Sequence, residues 1–90
     1  MNLEKVLGSR AKISLLRFLA KNSDWQFNLS LISDEISIDK GALSRLVREL
    51  EKSKVIEVKR SGKLLLFRLN QKNKFSNIIK SLFEKEARLR

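Results

Sequence analysis

The hydrophobic period switches sharply in the second half of this chain, and the switch limits what it can fold into. Apolar residues recur as Leu43, Leu46, Val47 and Leu50, the i, i+3, i+4, i+7 spacing of one helix face. After Lys54 the period drops to two, so Val55-Ile56-Glu57-Val58-Lys59-Arg60 reads as a strand. Ser61-Gly62 reads as a turn and Lys63 to Leu69 as the returning strand. A helix therefore runs directly into a hairpin. A two-residue loop would pair Val58 with Leu65 and Ile56 with Phe67, with apolar side chains sharing a face. A type I turn with a bulge would shift the pairing by one. The apolar run Leu64–Phe67 blurs the alternation, so both registers stay open.

Upstream the pattern is helical. Leu3, Val6 and Leu7 follow Asn2, a candidate cap, and Gly8 ends that short turn. Ser9 then caps a predicted helix over Arg10 to Lys21, apolar except for a narrow stripe of Arg10, Ser14, Arg17 and Lys21. A helix so broadly apolar belongs at the centre of the core. Asn22-Ser23-Asp24 breaks it, and Trp25-Gln26-Phe27 alternates like a very short strand, with Trp25 a core or near-core aromatic. Asn28 caps a helix over Leu29 to Ile36, and Ser37-Ile38-Asp39 forms a tight connection in which Ile38 plugs the core. Asp39 caps the next helix, over Lys40 to Ser53. A last helix starts near Lys74, with Phe75, Ile78, Ile79, Leu82, Phe83 and later Leu89 in one stripe. The expected class is mainly α with a small β-hairpin. Residues 1–74 carry the binding domain, and 75–90 add an amphipathic helix to that same domain.

Composition excludes much of the rest. The chain has 90 residues and contains neither Cys nor His. Disulfides, thiolate or imidazole metal sites and Cys–His or Ser–His catalytic pairs are thereby ruled out. Asp34 and Glu35 are adjacent on a helix and do not face each other, and Asp39 is explained as a cap, so no enzyme and no cofactor are expected. The longest apolar run, Leu64–Phe67, is far too short to span a membrane. The opening residues do not resemble a secretory signal, and a cytoplasmic, nucleoid-associated protein is expected.

The net charge is +10, and its position is informative. Between Lys40 and Lys74 there are eleven bases against three acids, a net of +8. That asymmetry is what a surface neutralising phosphates requires. Opposite the apolar face of the third long helix lie Gly41, Ser44, Arg45, Arg48 and Lys52, with Lys40 in its first turn. Guanidinium, hydroxyl and ammonium groups reach phosphates or base edges. Arg60 and Lys63 add two cations at the hairpin tip. Gly41 costs about 1 kcal/mol of helix propensity, which either a close approach to a nucleic-acid groove or a tight helix–helix elbow would explain.

These residues resemble a known family. Leu7-Gly8-Ser9-Arg10-Ala11-Lys12-Ile13, Phe27-Asn28-Leu29, the run from Ile36 to Glu51, and Val55-Ile56 with the basic hairpin ending Phe67-Arg68-Leu69-Asn70 carry the similarity. They are similar to winged helix-turn-helix transcription regulators, the small archaeal and bacterial MarR-like and ArsR-like kind. The resemblance implies a recognition helix in the major groove of double-stranded DNA, with Lys40, Ser44, Arg45 and Arg48 facing it. It also implies a wing carrying Arg60 and Lys63 on the backbone or minor groove. Terminal helices of the family often build a dimer. The stripe Phe75, Ile78, Ile79, Leu82 and Phe83 accordingly has two readings, the domain's own core or a homodimer seam, and the second is preferred. The short final helix argues against a small-molecule effector pocket. A sequence-specific regulator is the expected function, because a protein that merely coats DNA could use Lys throughout. A sequence-independent chromosomal protein and a protein-docking adaptor are the alternatives.

Overall fold

The computed structural model describes residues 10–22 and 26–88. The expected first turn and its cap, Ser9, Trp25 and Leu89 lie outside the described residues. Helix α1 (Arg10–Lys21) buries Ile13, Leu15, Leu16, Leu19 and Ala20 in the core. Strand β1 (Phe27–Asn28) leads directly into α2 (Leu29–Ile36), and α3 (Lys40–Lys52) follows. The hairpin is β2 (Ile56–Ser61) and β3 (Leu64–Leu69), and α4 (Lys74–Arg88) closes the fold. The core joins the α1 residues to Ile32, Leu43, Val47, Leu50, Val55, Ile56, Phe67, Leu69, Ile79 and Phe83. No helix among the described residues is long and apolar enough to cross a membrane.

The three strands form an antiparallel sheet in the order β1-β3-β2. Neither expected hairpin register is found. Val58 pairs with Phe67 and Ile56 with Leu69, so the loop is Gly62-Lys63, one residue later than Ser61-Gly62. The reason is Gly62, whose φ of 61° suits the first central position of a tight hairpin turn. A Cβ there would meet nothing within 4 Å, so glycine serves backbone conformation and not space. Because Val58 moves its partner by two residues, side-chain parity is kept and the apolar face stays inward. Strand β1 pairs Phe27 with Phe67 and Asn28 with Leu66. The Phe27 ring packs edge-on against Phe18 at 4.8 Å. Asn28 also caps α2, its Oδ1 accepting from the Leu31 N–H at 2.8 Å.

The end of α3 sets the direction of the hairpin. The Val55 N–H donates to the Leu50 carbonyl at 3.0 Å and the Lys54 N–H to Glu51 at 2.9 Å. This 6→1 and 5→2 pair is a Schellman cap, and Val55 and Leu50 are both buried beside it. Lys54 occupies its left-handed position with φ 63°, where glycine is the usual residue. The Val55 carbonyl accepts from the Asn70 N–H at 2.9 Å and from the buried Ser76 hydroxyl. Asn73 caps α4 through the N–H groups of Phe75 and Ser76 at 2.8 and 3.1 Å. Helix α4 then lies on α1, with Ile79 and Phe83 buried. Arg17 clamps it: Nε and Nη2 donate to the two Glu86 carboxylate oxygens at 3.0 and 3.2 Å, and Cζ stands 5.4 Å from the Phe83 ring centre.

Lys54 makes no side-chain hydrogen bond or ion pair among the described residues and bears the cost of a left-handed backbone. Lys54→Gly is expected to stabilise the fold by about 0.5–1 kcal/mol, after allowing for the freer unfolded chain. A urea titration checks it, and a lower midpoint would contradict the assignment.

Candidate nucleic-acid interface

Helix α3 starts on a carboxylate. Asp39 Oδ2 accepts from the Gly41 N–H at 2.9 Å and the Ala42 N–H at 3.3 Å. A Cβ on residue 41 would stand 3.0 Å from that same oxygen. Glycine thus admits the capping carboxylate, a reason other than the two expected from sequence. The lost helix propensity is offset by a cap of comparable size.

From this start the helix divides cleanly. Leu43, Val47 and Leu50 are buried. Lys40, Gly41, Arg45, Arg48 and Lys52 are exposed, and Ser44 is half-buried. Arg60 and Lys63 on the hairpin are exposed as well. A concavity of about 330 Å³ lies between the two elements, lined by Ser44, Arg48 and Glu51 from α3 and by Arg60 and Leu65 from the hairpin. The structure thus brings Ser44, Arg48 and Arg60 together. Lys63 lies elsewhere: with Leu64 and Leu65 it lines a second concavity, of about 300 Å³, against Asn28, Leu29 and Ser30 at the start of α2. Lys40, Arg45 and Lys52 line neither of these and stand on the open face of α3. Ser30, Glu51 and Leu65 are additions that the sequence reading lacks. Ser30 is brought beside the hairpin by the β1–β3 pairing and by the packing of α2 on β3, long-range facts with no local signal.

The acids nearby are mostly held by internal partners. Glu49 pairs with Lys12 of α1 at 2.8 Å, and Glu57 pairs with Arg68 across the hairpin. Among the described residues no ion pair includes Lys40, Arg45, Arg48, Lys52, Arg60 or Lys63. Six exposed cations are therefore left for an external anion. The stripe on α4 splits between two environments. Ile79 and Phe83 are each 1% exposed in the domain's own core, Leu82 is half-buried, and Phe75 and Ile78 are 47% and 63% exposed.

Several solved structures share this arrangement of helices and β-hairpin. The transcriptional repressor BigR from Xylella fastidiosa superposes with a TM-score of 0.75 at 24% identity, over 92% of this chain and 78% of that one. The fold is the winged helix-turn-helix. AF1382 from Archaeoglobus fulgidus matches with a TM-score of 0.73 at 18% identity, over 94% of this chain and 97% of that one. MepR, a transcription regulator of the Staphylococcus aureus multidrug efflux pump MepA, matches with a TM-score of 0.73 at 18% identity, over 97% and 66%. No family model and no curated protein matches the sequence. In the terms of this fold, α3 is the second helix of the helix-turn-helix and β2–β3 is the wing.

The Asp39 cap is testable apart from any ligand. Asp39→Ala should lower stability by about 1 kcal/mol, while Asp39→Asn, an equally good cap, should leave it nearly unchanged. Thermal unfolding of both variants separates the hydrogen bonds from the charge.

Proposed function

We propose that the chain is a sequence-specific regulator of transcription that binds double-stranded DNA. Recognition helix α3 enters the major groove, and the wing lies on the backbone or minor groove. The observation that carries this reading is the shared concavity of Ser44, Arg48 and Arg60, whose two arginines are among six exposed cations that form no ion pair among the described residues. Helix α3 is about 20 Å long at 1.5 Å per residue, and a major groove about 12 Å wide accepts it. Lys40, Arg45 and Arg48 reach phosphates or guanine edges, and Ser44 reaches either. Lys52 contributes a phosphate contact. Gly41 keeps the start of the helix slim.

The functional unit in this reading is a homodimer. Phe75, Ile78 and Leu82 fall at i, i+3, i+7 and form an apolar strip on α4, beneath which Ile79 and Phe83 hold the helix to α1. A two-fold pair would read half-sites about 34–36 Å apart. No cofactor or small-molecule effector enters the mechanism.

Binding of a labelled duplex should weaken steeply with salt, with a log–log slope near −0.9 per phosphate contacted. An affinity that stays flat from low to physiological salt would refute the phosphate contacts. On the preferred site, Arg45→Ala or Arg48→Ala should cost about 1–3 kcal/mol and relax preference at one position, whereas Lys63→Ala should weaken all duplexes alike. Equal losses on every duplex for the Arg variants would favour a coating protein. For the dimer, Ile78→Glu should halve the sedimentation mass while the circular dichroism still reports a folded chain, because Ile78 is 63% exposed in the single subunit. An unchanged mass would remove α4 from the interface.

A further inference from the structure

Three acids interrupt the basic stretch between Lys40 and Lys74, and two of them have partners. The third is different. Glu51 is exposed, forms no ion pair among the described residues, and lines the concavity between α3 and the wing with Ser44, Arg48 and Arg60. Its position is unfavourable on two counts. It stands in the last turn of α3, where the helix dipole disfavours an anion. It also repels the phosphates that the surrounding cations attract. Among the described residues no ion pair ties it down, so the carboxylate, with Arg48 and Arg60 beside it, is left to face what binds.

We propose that Glu51 is a specificity-determining residue that accepts a hydrogen bond from the exocyclic amine of a cytosine, while Arg48 donates to the guanine paired with it. The proposal rests on the duplex-DNA reading above. Residues three apart on a helix are surface neighbours, so Arg48 and Glu51 present a two-donor fork beside an acceptor. Across the major groove a G·C pair offers guanine N7 and O6 as acceptors and then cytosine N4 as a donor. An A·T pair offers acceptor, donor, acceptor, which places the adenine amine against the guanidinium and thymine O4 against the carboxylate. The order donor, donor, acceptor fits G·C and rejects A·T at two points. The same carboxylate weakens binding to arbitrary sequence, where only phosphates are contacted.

Selection from random duplexes at moderate salt, with the full chain, tests this. The wild type should enrich one invariant G·C pair that Arg48→Ala also loses. Glu51→Gln and Glu51→Ala should bind random-sequence duplex more tightly, and their discrimination between G·C and A·T at that pair should fall by about tenfold. An unchanged selected sequence in both variants would overturn the proposal, as would a uniform gain in affinity with the discrimination intact. Steeply salt-dependent binding by a wild type that enriches no sequence overturns this proposal and leaves DNA binding standing. A wild type that binds no duplex overturns both.

Discussion

One carbonyl oxygen ties together the end of α3, the hairpin and the start of α4. The Val55 C=O accepts from the Asn70 backbone and from the Ser76 hydroxyl, which uses both of its lone pairs. Three segments meet there: the strand leaving α3, the end of the returning strand, and the first turn of α4. The Schellman cap one bond earlier sets the angle at which the chain leaves the helix. Together they hold the hairpin beside α3, and only in that arrangement do Arg48 and Arg60 border one concavity. The junction is buried, so its hydrogen bonds would be costly to leave unmade.

The ion pairs contribute more to the surface field than to stability. Lys12–Glu49 and Glu57–Arg68 are partly exposed, and pairs of that kind are worth at most about 1 kcal/mol. Glu57–Arg68 cancels one acid against one base of the same hairpin, whereas Lys12–Glu49 neutralises an acid of the basic helix with a cation from elsewhere. Lys12 comes from α1, so a cation outside the basic stretch leaves the outward face of α3 more positive than composition suggests. Arg17 has a different task. Its two hydrogen bonds to Glu86 and its position over Phe83 fasten α4 to α1.

The final helix illustrates how a sequence pattern can conceal two surfaces. Phe75, Ile78, Ile79, Leu82 and Phe83 make a single broad stripe when projected on a helix. Packing divides it, because the docking of α4 on α1 buries Ile79 and Phe83 and leaves Phe75 and Ile78 exposed. The exposed remainder is what a second subunit would need to find.

The amino-acid sequence by itself determined the order of elements, the inward faces and the caps at Asn28 and Asp39, because periodicity and capping depend on neighbours within a few residues. It also set the basic excess after Lys40, which is a matter of counting. Tertiary structure decided the rest. The hairpin register moved because a positive φ at Gly62 placed the turn one residue later, and an apolar run could not mark that position. Gly41 proved to admit a carboxylate, a contact too close to be read from residue types. The meeting of Ser44 and Arg48 with Arg60, and of Ser30 with Lys63, depends on strands and helices far apart in the chain packing against one another. Such distances are set by the whole core at once, and no local stretch of residues encodes them.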